Sequence, residues 1–216
     1  MINHFMDFKL DTEKGAFTPR FETEILVEKA IRLIDKRKPV SRKLNILDIG
    51  TGSGNIAISL TKYIPSSRLV ALDISDTALR VAKKNAARYG LESSIEFISS
   101  DLFENIRQYS NEYFDIIISN PPYISLEDFL SLPIEVKDDP YVALFGGKDG
   151  LKFYRRIVKE SPEYLKKGGI LLMEIGYNQS RDVTCIIEES HAYGDVEIYK
   201  DYSGVDRIIK AEKYGT

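Results

Sequence analysis

Residues 44–54 read LNILDIGTGSG, an apolar run followed directly by three glycines at alternate positions. The apolar part, Leu44–Ile49, is typical of a buried β-strand, and Gly50 ends it. Glycines at this point allow the backbone to turn sharply out of the strand with no side chain between it and a ligand. The G-x-G-x-G spacing differs from the G-x-G-x-x-G of dinucleotide-binding folds, which disfavours a nicotinamide dehydrogenase.

Outward from this stretch, short apolar runs alternate with segments of helical periodicity, a pattern typical of a parallel sheet with crossover helices. Further strands are predicted at 69–72, 95–98, 114–118 and 169–175, and a terminal strand pair at 196–199 and 205–209. Helices are predicted from Thr18 to about residue 34 and at 56–63, 76–89, 151–165 and 178–189. We therefore predict a doubly wound α/β fold whose ligand lies at the carboxyl ends of the first strands.

The composition is that of an ordinary globular protein, with 43% hydrophobic and 29% charged residues among 216. Thirty Lys and Arg against 33 Asp and Glu give a formal charge of −3, unlike the basic surface of proteins that bind duplex nucleic acid alone. The N-terminus lacks the apolar segment of a signal peptide, and no apolar run is long enough to span a membrane. The single Cys185 is predicted to be buried in a helix, and we expect a cytoplasmic protein without a metal site.

Two acidic residues follow the second and third predicted strands. Asp73 lies about 20 residues beyond the glycines, where a carboxylate can accept both hydroxyl protons of a ribose. Asp73 could instead cap the next helix, although Ser75 could take that role. Asp101 could accept a hydrogen bond from an adenine amino group while Leu102 covers the ring, or it could belong to an ordinary turn.

A third polar feature, Asn120-Pro121-Pro122-Tyr123, comes directly after the fourth predicted strand. Asn-Pro is a common turn opener. All four residues together, at a strand's carboxyl end and downstream of a glycine-rich loop, resemble the Asn/Asp-Pro-Pro-Tyr/Phe motif of amino-group methyltransferases that use S-adenosylmethionine.

The chemistry of a planar amide or exocyclic amine explains why these residue types suit methyl transfer. Such a nitrogen is a poor nucleophile because its lone pair is delocalised. The side-chain carbonyl of Asn120 and the backbone carbonyl of Pro121 can accept its two N–H protons, which lets the nitrogen pyramidalise. The two oxygen dipoles also stabilise the positive charge that moves to nitrogen. The prolines keep the loop rigid, and Tyr123 is expected to pack against the target group.

Further stretches resemble a narrower family. Residues 18–24, TPRFETE, are similar to the Pro-Arg-Pro-Glu-Thr-Glu signature of the HemK/PrmC family, the N(5)-glutamine methyltransferases of translation release factors. Residues 139–151 and 201–207 are similar to that family's segment after the catalytic motif and to its C-terminal end. The resemblance covers residues 18–210 in order, with Phe21 standing where the family usually has a second proline.

This resemblance implies a Rossmann-like class I methyltransferase with a seven-stranded, mostly parallel sheet and helices on both faces. Residues 1–43 would pack as an N-terminal segment and helix on a catalytic domain at 44–216, in a single domain overall. The glutamine would be held by Asn120, Pro121, Pro122 and Tyr123. S-adenosylmethionine would be bound by Arg20, Thr23, Glu24, Asp48, Gly50, Thr51, Gly52, Ser53, Gly54, Asp73, Ile74, Asp101, Leu102 and Asn120. Without the resemblance, Glu22 and Glu24 simply suit the first turn of a helix.

The expected activity is methyl transfer to a glutamine side-chain amide, in the Gly-Gly-Gln loop of a peptide chain release factor. The alternative is an adenine N6-methyltransferase for DNA or RNA, because adenine's amino group poses the same lone-pair problem. That enzyme would need a basic surface, whereas the basic residues at 36–38 and 42–43 read more simply as a solvated helix end and linker. A non-catalytic methyltransferase-like binding module is a further alternative, which the intact Asn120 and Asp73 argue against.

Substrate recognition is the point at which the sequence departs from the family. Its bacterial members carry an N-terminal helical domain that helps grip the protein substrate, and here 17 residues precede Thr18. Relatives outside bacteria work with a small zinc-binding partner. Recognition is therefore expected from the catalytic domain itself, from a small activating partner protein, or through a different substrate.

Overall fold

A computed structural model describes residues 2–13, 17–36, 43–132 and 139–215. Within these residues the strands are β1 (Ile2–Phe5), β2 (Phe8–Asp11), β3 (Leu44–Ile49), β4 (Ser67–Asp73), β5 (Ile95–Ser99), β6 (Phe114–Ser119), β7 (Leu165–Glu174), β8 (Tyr193–Lys200) and β9 (Asp206–Lys213). The helices are α1 (Phe21–Lys36), α2 (Asn55–Tyr63), α3 (Asp76–Arg88), α4 (Leu126–Ser131), α5 (Tyr141–Leu144), α6 (Lys152–Tyr164) and α7 (Ser180–Glu189).

The main sheet has seven strands in the order β5-β4-β3-β6-β7-β9-β8. Strands β5, β4, β3, β6 and β7 are parallel to one another. Strand β9 lies between β7 and β8 and runs antiparallel to both. The predicted seven-stranded, mostly parallel sheet is confirmed. The chain order reverses beside β3, so the carboxyl ends of β3 and β6 border the crevice where such sheets bind ligands.

Side chains of the central strands alternate between two hydrophobic cores, one on each face of the sheet. In β6, Ile117 points to the core that contains Tyr154 and Ile157 of α6, while Ile116 and Ile118 point to the other. That second core is closed by α1, α2 and part of α3. Because both faces are covered, these strands are apolar throughout instead of alternating with polar residues, which is why they were recognisable in the sequence.

The first helix begins three residues later than predicted. Thr18 does not cap it, because the Thr18 backbone N–H and hydroxyl both donate to Asp139 Oδ1, at 3.2 and 3.0 Å. The chain is therefore not helical before Phe21, where α1 starts. Residues 17–20 are held beside the sheet by a contact to a distant part of the sequence, which helix-start signals do not report.

The N-terminal residues form a two-stranded hairpin, β1–β2, that was not predicted. Its side chains Phe5, Phe8 and Leu10 enter the core that α1 and α2 close. The Met6 backbone N–H at the turn donates to Glu24 Oε1 at 2.7 Å. Four-residue strands carry too little periodicity to be recognised, and the hairpin is stabilised mainly by packing on the rest of the protein.

Other differences are confined to the surface. Cys185 is exposed instead of buried, because Val183 and Ile187 of α7 face the sheet and Cys185 lies between them on the opposite side. The short helices α4 and α5 were not predicted. Of the two basic clusters, Arg37, Lys38 and Arg42 lie outside the described residues.

Two findings concern the described residues only. Within the ranges given above, no helix is long and apolar enough to cross a membrane. The same residues contain no group of three or more His, Cys, Asp or Glu side chains arranged to hold a metal ion.

Candidate functional site

A cavity of about 310 Å³ opens at the carboxyl ends of β3, β4, β5 and β6, where the fold predicts a ligand. Most of the predicted site residues line it, namely Thr23, Gly50, Thr51, Gly52, Ser53, Asp73, Ile74, Asp101, Leu102, Asn120, Pro121, Pro122 and Tyr123. Four predicted residues are outside its walls: Arg20, Glu24, Asp48 and Gly54. The sheet therefore brings together residues from strand ends more than 70 positions apart in the sequence.

The glycine-rich turn after β3 supplies the floor of the cavity. Gly50 and Gly52 have φ angles of +73° and +56°, in the left-handed region that side chains disfavour. A Cβ atom added to Gly50 would meet no protein atom within 4 Å, so it would project into open space beside the cavity. Gly54 has another role, because its added Cβ would lie 3.1 Å from Ala82 Cβ and would separate the turn from α3.

Asp48 lies beneath the turn. It is fully buried, and its Oδ2 accepts a hydrogen bond from the Thr51 hydroxyl at 2.6 Å. Burial raises the pKa of Asp48 to about 7, and the nearby Asp73 carboxylate raises it further, against the effect of the Thr51 hydrogen bond. Asp48 thus shapes the turn from below.

Asp73 faces the cavity from the end of β4. Its Oδ2 accepts from the Gly52 N–H at 2.8 Å and its Oδ1 from the Ser75 N–H at 2.9 Å. Ser75 is the residue that caps α3, through a 3.3 Å hydrogen bond from Ala78 N–H to its hydroxyl, so the capping role does not fall to Asp73. Burial raises the pKa of Asp73, while the backbone N–H groups hold it down. Each carboxylate oxygen keeps lone-pair capacity for a ligand hydroxyl.

The end of β5 contributes Asp101 and Leu102. Asp101 Oδ1 accepts from the Arg156 guanidinium at 2.8 Å, so α6 reaches the same wall of the cavity. Leu102 has a φ angle of +52°, which is rare for a branched side chain, and the Ser100 hydroxyl donates to its carbonyl at 2.7 Å. This strained turn directs the apolar Leu102 to the cavity wall.

The loop after β6 begins with Asn120, which is half-buried. Its Nδ2 donates to the Thr23 hydroxyl at 3.0 Å, and that hydroxyl donates to Glu174 Oε2 at 2.8 Å. Burial raises the pKa of Glu174 to about 7, against the hydrogen bond from Thr23, the Arg207 guanidinium and the hydrogen bond from Asn120. None of the described residues donates a hydrogen bond to Asn120 Oδ1 or to the Pro121 carbonyl.

Hydrogen bonds from Gln179 and close packing against two glycines hold the rest of this loop in place. Gln179 Nε2 donates to the Tyr123 carbonyl at 2.9 Å, and Gln179 Oε1 accepts from the Gly176 N–H at 3.0 Å. A Cβ atom at Gly146 would lie 2.8 Å from both the Pro122 carbonyl oxygen and Tyr123 Cα. The glycines at 146 and 176 are therefore required for the approach of neighbouring segments to Pro122 and Tyr123.

A contact between residues 17–20 and Asp139 borders the cavity. Besides its two bonds from Thr18, Asp139 accepts from the Arg20 guanidinium at 2.6 Å. Phe17 lines the cavity next to Gly52. Arg20 instead donates to Asp139, and Glu24 accepts from the Met6 backbone N–H. Each of these side chains therefore links α1 or the residues before it to another segment of the protein.

Several residues that build the site were not singled out in the sequence. They are Phe17, Asp139, Arg156, Glu174 and Gln179. Glu174 had a usable signal, because a charged residue at the carboxyl end of a predicted apolar strand faces the same edge as the other site residues. Arg156 had no such signal, since it lies on a helix rich in exposed charged residues.

Comparisons with known proteins agree with this geometry. A family described as "Methyltransferase domain" matches residues 40–208. The release factor glutamine methyltransferase of Clostridium acetobutylicum is 38% identical over 98% of this chain and 72% of its own length. That of Fusobacterium nucleatum is 41% identical over 96% of this chain and 56% of its own length, so this chain spans little more than half of that relative.

Solved structures agree on the fold. A methyltransferase from Pyrococcus furiosus superposes with a TM-score of 0.69 at 17% sequence identity, covering 97% of this chain and 90% of the other. At that identity the likeness concerns the architecture alone, and the fold of the chain is that of class I methyltransferases.

Proposed function

Because the chain belongs to the release factor glutamine methyltransferase family, we propose that it transfers a methyl group from S-adenosylmethionine to a glutamine side-chain amide. The proposed substrate is a peptide chain release factor, methylated at the glutamine of its Gly-Gly-Gln loop. Residues 1–43 and 44–216 would act as a single domain, since α1 lends Thr23 to the site. Release factors act on ribosomes, so we also propose that the protein works in the cytoplasm.

The observation that carries the proposal is a pair of oxygen acceptors at the end of β6. Asn120 Oδ1 and the Pro121 carbonyl receive no hydrogen bond from the described residues, and both residues line the cavity. A primary amide has two N–H protons, and two acceptors on one rigid loop can take both. Tyr123 and the prolines border the same space and leave it apolar.

The other half of the cavity has the groups that a nucleoside cofactor needs. Asp73 offers carboxylate lone pairs for ribose hydroxyls, the glycine turn leaves space at Gly50, and Ile74 and Leu102 supply apolar walls. When bound, S-adenosylmethionine would supply a methyl group made electrophilic by a sulfonium centre. Of the predicted cofactor residues, Arg20, Glu24, Asp48 and Gly54 are proposed to shape the site without lining it.

The catalytic work proposed for this chain is orientation and electrostatic stabilisation. Holding both amide protons turns the nitrogen lone pair out of conjugation, toward the methyl donor. As positive charge develops on nitrogen, the Asn120 and Pro121 oxygen dipoles already point at it, with no reorganisation needed. A strong base is unnecessary, because the methylated nitrogen becomes acidic and releases its proton.

The test is mass spectrometry of a purified release factor from the same organism after incubation with the purified protein and S-adenosylmethionine. We expect one added methyl group on the glutamine of the Gly-Gly-Gln loop, and none when that glutamine is replaced by alanine. An unmodified glutamine, with any partner protein present, would contradict the proposal, and transfer to an adenine-containing oligonucleotide run in parallel would favour the N6-adenine alternative. Methylation by purified components alone would also show that a small activating partner is not required.

A further inference from the structure

A buried carboxyl group lies behind the catalytic loop with no part in the proposed contacts to substrate or cofactor. Glu174, at the last position of β7, is 1% exposed, and Thr23 beside it is equally buried. Thr23 lies on α1, and Asn120 follows β6. Three elements distant in sequence therefore place a carboxylate, a hydroxyl and an amide in a row.

The donors and acceptors of these three side chains determine the direction of the two hydrogen bonds. In its ionised form, which the Arg207 guanidinium favours, the Glu174 carboxylate only accepts hydrogen bonds, so the single hydroxyl proton of Thr23 is used toward Glu174. The Thr23 oxygen can then only accept from Asn120, which must present its Nδ2 and not its Oδ1. The hydrogen-bond network itself therefore determines which end of the Asn120 amide is the oxygen and which the nitrogen.

We propose that Glu174 and Thr23 are positioning residues that orient the Asn120 amide, so that its Oδ1 faces the substrate nitrogen. The inference rests on the proposed function and adds two residues to it. The Glu174 carboxylate acts on this end of the amide through Thr23, whose oxygen accepts from Asn120 Nδ2. In the opposite orientation Nδ2 would face the substrate and would repel its N–H groups.

The surroundings of Glu174 support a directional role over mere packing. A buried carboxyl is unfavourable unless its hydrogen bonds are satisfied. Here the Thr23 hydroxyl donates to it, the Arg207 guanidinium attracts its charge, and the Glu22 carboxylate opposes that charge. An apolar side chain could occupy this position without the free-energy cost of burying a carboxyl group, but it could not determine the direction of the Thr23 hydroxyl.

The kinetic test uses three threonine variants. Thr23→Val keeps the shape of the side chain but removes the hydroxyl, and we expect kcat for release-factor methylation to fall about tenfold. Affinity for S-adenosylmethionine, measured by calorimetry, should stay within twofold. Thr23→Ser keeps the hydroxyl and should restore most of kcat. Thr184→Val is the matched control, because the Thr184 hydroxyl bonds to the Ser180 carbonyl on α7, away from the cavity.

A second variant addresses the carboxylate. Glu174→Gln keeps size and hydrogen-bonding capacity, but its amide can donate as well as accept, so the direction is no longer enforced. We expect kcat to fall by a similar factor with cofactor affinity preserved. If both Thr23→Val and Glu174→Gln fold and keep the wild-type kcat, the inference is wrong.

A readout without turnover separates this inference from the proposed function. The side-chain NH2 signals of Asn120, assigned by their loss in Asn120→Ala, should exchange slowly with solvent in the wild type. They should shift and exchange at least tenfold faster in Thr23→Val and Glu174→Gln. Unchanged signals in both variants would overturn the inference. Shifted signals in a protein that methylates no release factor would instead reject the proposed function and leave the orientation of Asn120 supported.

Discussion

The two halves of the cavity are built in different ways. The cofactor half, defined as the ends of β3, β4 and β5, contains short-range contacts such as Thr51 to Asp48 and Ser75 to Asp73. Its longer contacts, Gly52 to Asp73 and Arg156 to Asp101, span 21 and 55 positions. The acceptor half, defined as the loop after β6 with its supports, relies on contacts that span 97 positions from Thr23 to Asn120 and 151 from Thr23 to Glu174. The contacts that shape the cofactor half are therefore of shorter range in the sequence than those that shape the acceptor half.

The difference has a functional meaning. A cofactor pocket whose geometry is set by its own turns can stay the same while the substrate changes. The acceptor half is assembled from α1, β6, β7 and α7, so a change in any of them can alter what is methylated or how fast. Substitutions in the two halves should therefore separate binding of the cofactor from the rate of transfer.

The largest effect is expected in the acceptor half. Asn120→Ala removes one of the two amide acceptors and the orientation of the substrate nitrogen, and we expect kcat to fall about 10²- to 10³-fold. Calorimetry should give nearly wild-type affinity for S-adenosylmethionine, because most of the proposed cofactor contacts lie at other strand ends. A loss of affinity as large as the loss of kcat would remove the distinction between the halves.

The corresponding change in the cofactor half is Asp73→Ala. Loss of a carboxylate that accepts hydroxyl protons should weaken cofactor binding about 100-fold, corresponding to about 2.7 kcal/mol. Asp76→Ala is the matched control, since it removes the same charge from an exposed position three residues away. Equal affinities for the two variants would count against the role proposed for Asp73.

The features of the site that the sequence could predict divide between the same two halves. The strand ends, the glycine turn, Asp73 and the Asn120 loop were predictable because each combines a fold signal with a local chemical one. Glu174, Gln179 and Asp139 depend on which strands become neighbours, and the sequence alone does not state their distances. Thr23 was predicted to bind cofactor from a resemblance, whereas its hydrogen bonds run to Asn120 and Glu174. The hairpin β1–β2 was missed because its strands are too short to show a period.

A steric clash introduced into the acceptor half alone should reduce kcat less than Asn120→Ala does. Gly146→Ala would place a Cβ 2.8 Å from the Pro122 carbonyl and should lower the free energy of unfolding by about 1–3 kcal/mol, with reduced kcat. In Gly194→Ala the nearest atom is 3.6 Å away, so stability and activity should be unchanged. Urea denaturation and initial rates of both proteins measure this. Wild-type rates in Gly146→Ala would mean that the loop tolerates displacement.

A graded effect is expected from the two buried carboxyl groups, one in each half. Asp48 and Glu174 have pKa values raised by burial to about 7, whereas the unfolded chain releases these protons near 4. Between those values deprotonation favours the unfolded chain, so the stability that these two groups contribute is fully present below about pH 4 and is lost as pH rises toward 7. The slope is about 1.4 kcal/mol per pH unit for each group.

Urea denaturation at pH 5 and pH 6.5 tests this dependence. The wild-type free energy of unfolding should fall more steeply over this interval than that of Asp48→Asn or Glu174→Gln, each of which removes one titrating group. Since the two groups lie on different strands, the two reductions should add in the double variant. Parallel pH dependences in all four proteins would contradict the raised pKa values.

The position of β9 affects how the protein is made. This last strand of the chain inserts between β7 and β8, and its Arg207 bonds to the Ile175 carbonyl and offsets the charge of Glu174. During vectorial synthesis, β3, β4 and β5 leave the exit tunnel about a hundred residues before β9 does. A nascent chain can therefore pair β3, β4 and β5 well before β9 has emerged, whereas Arg207 reaches Ile175 and Glu174 only once β9 has joined β7.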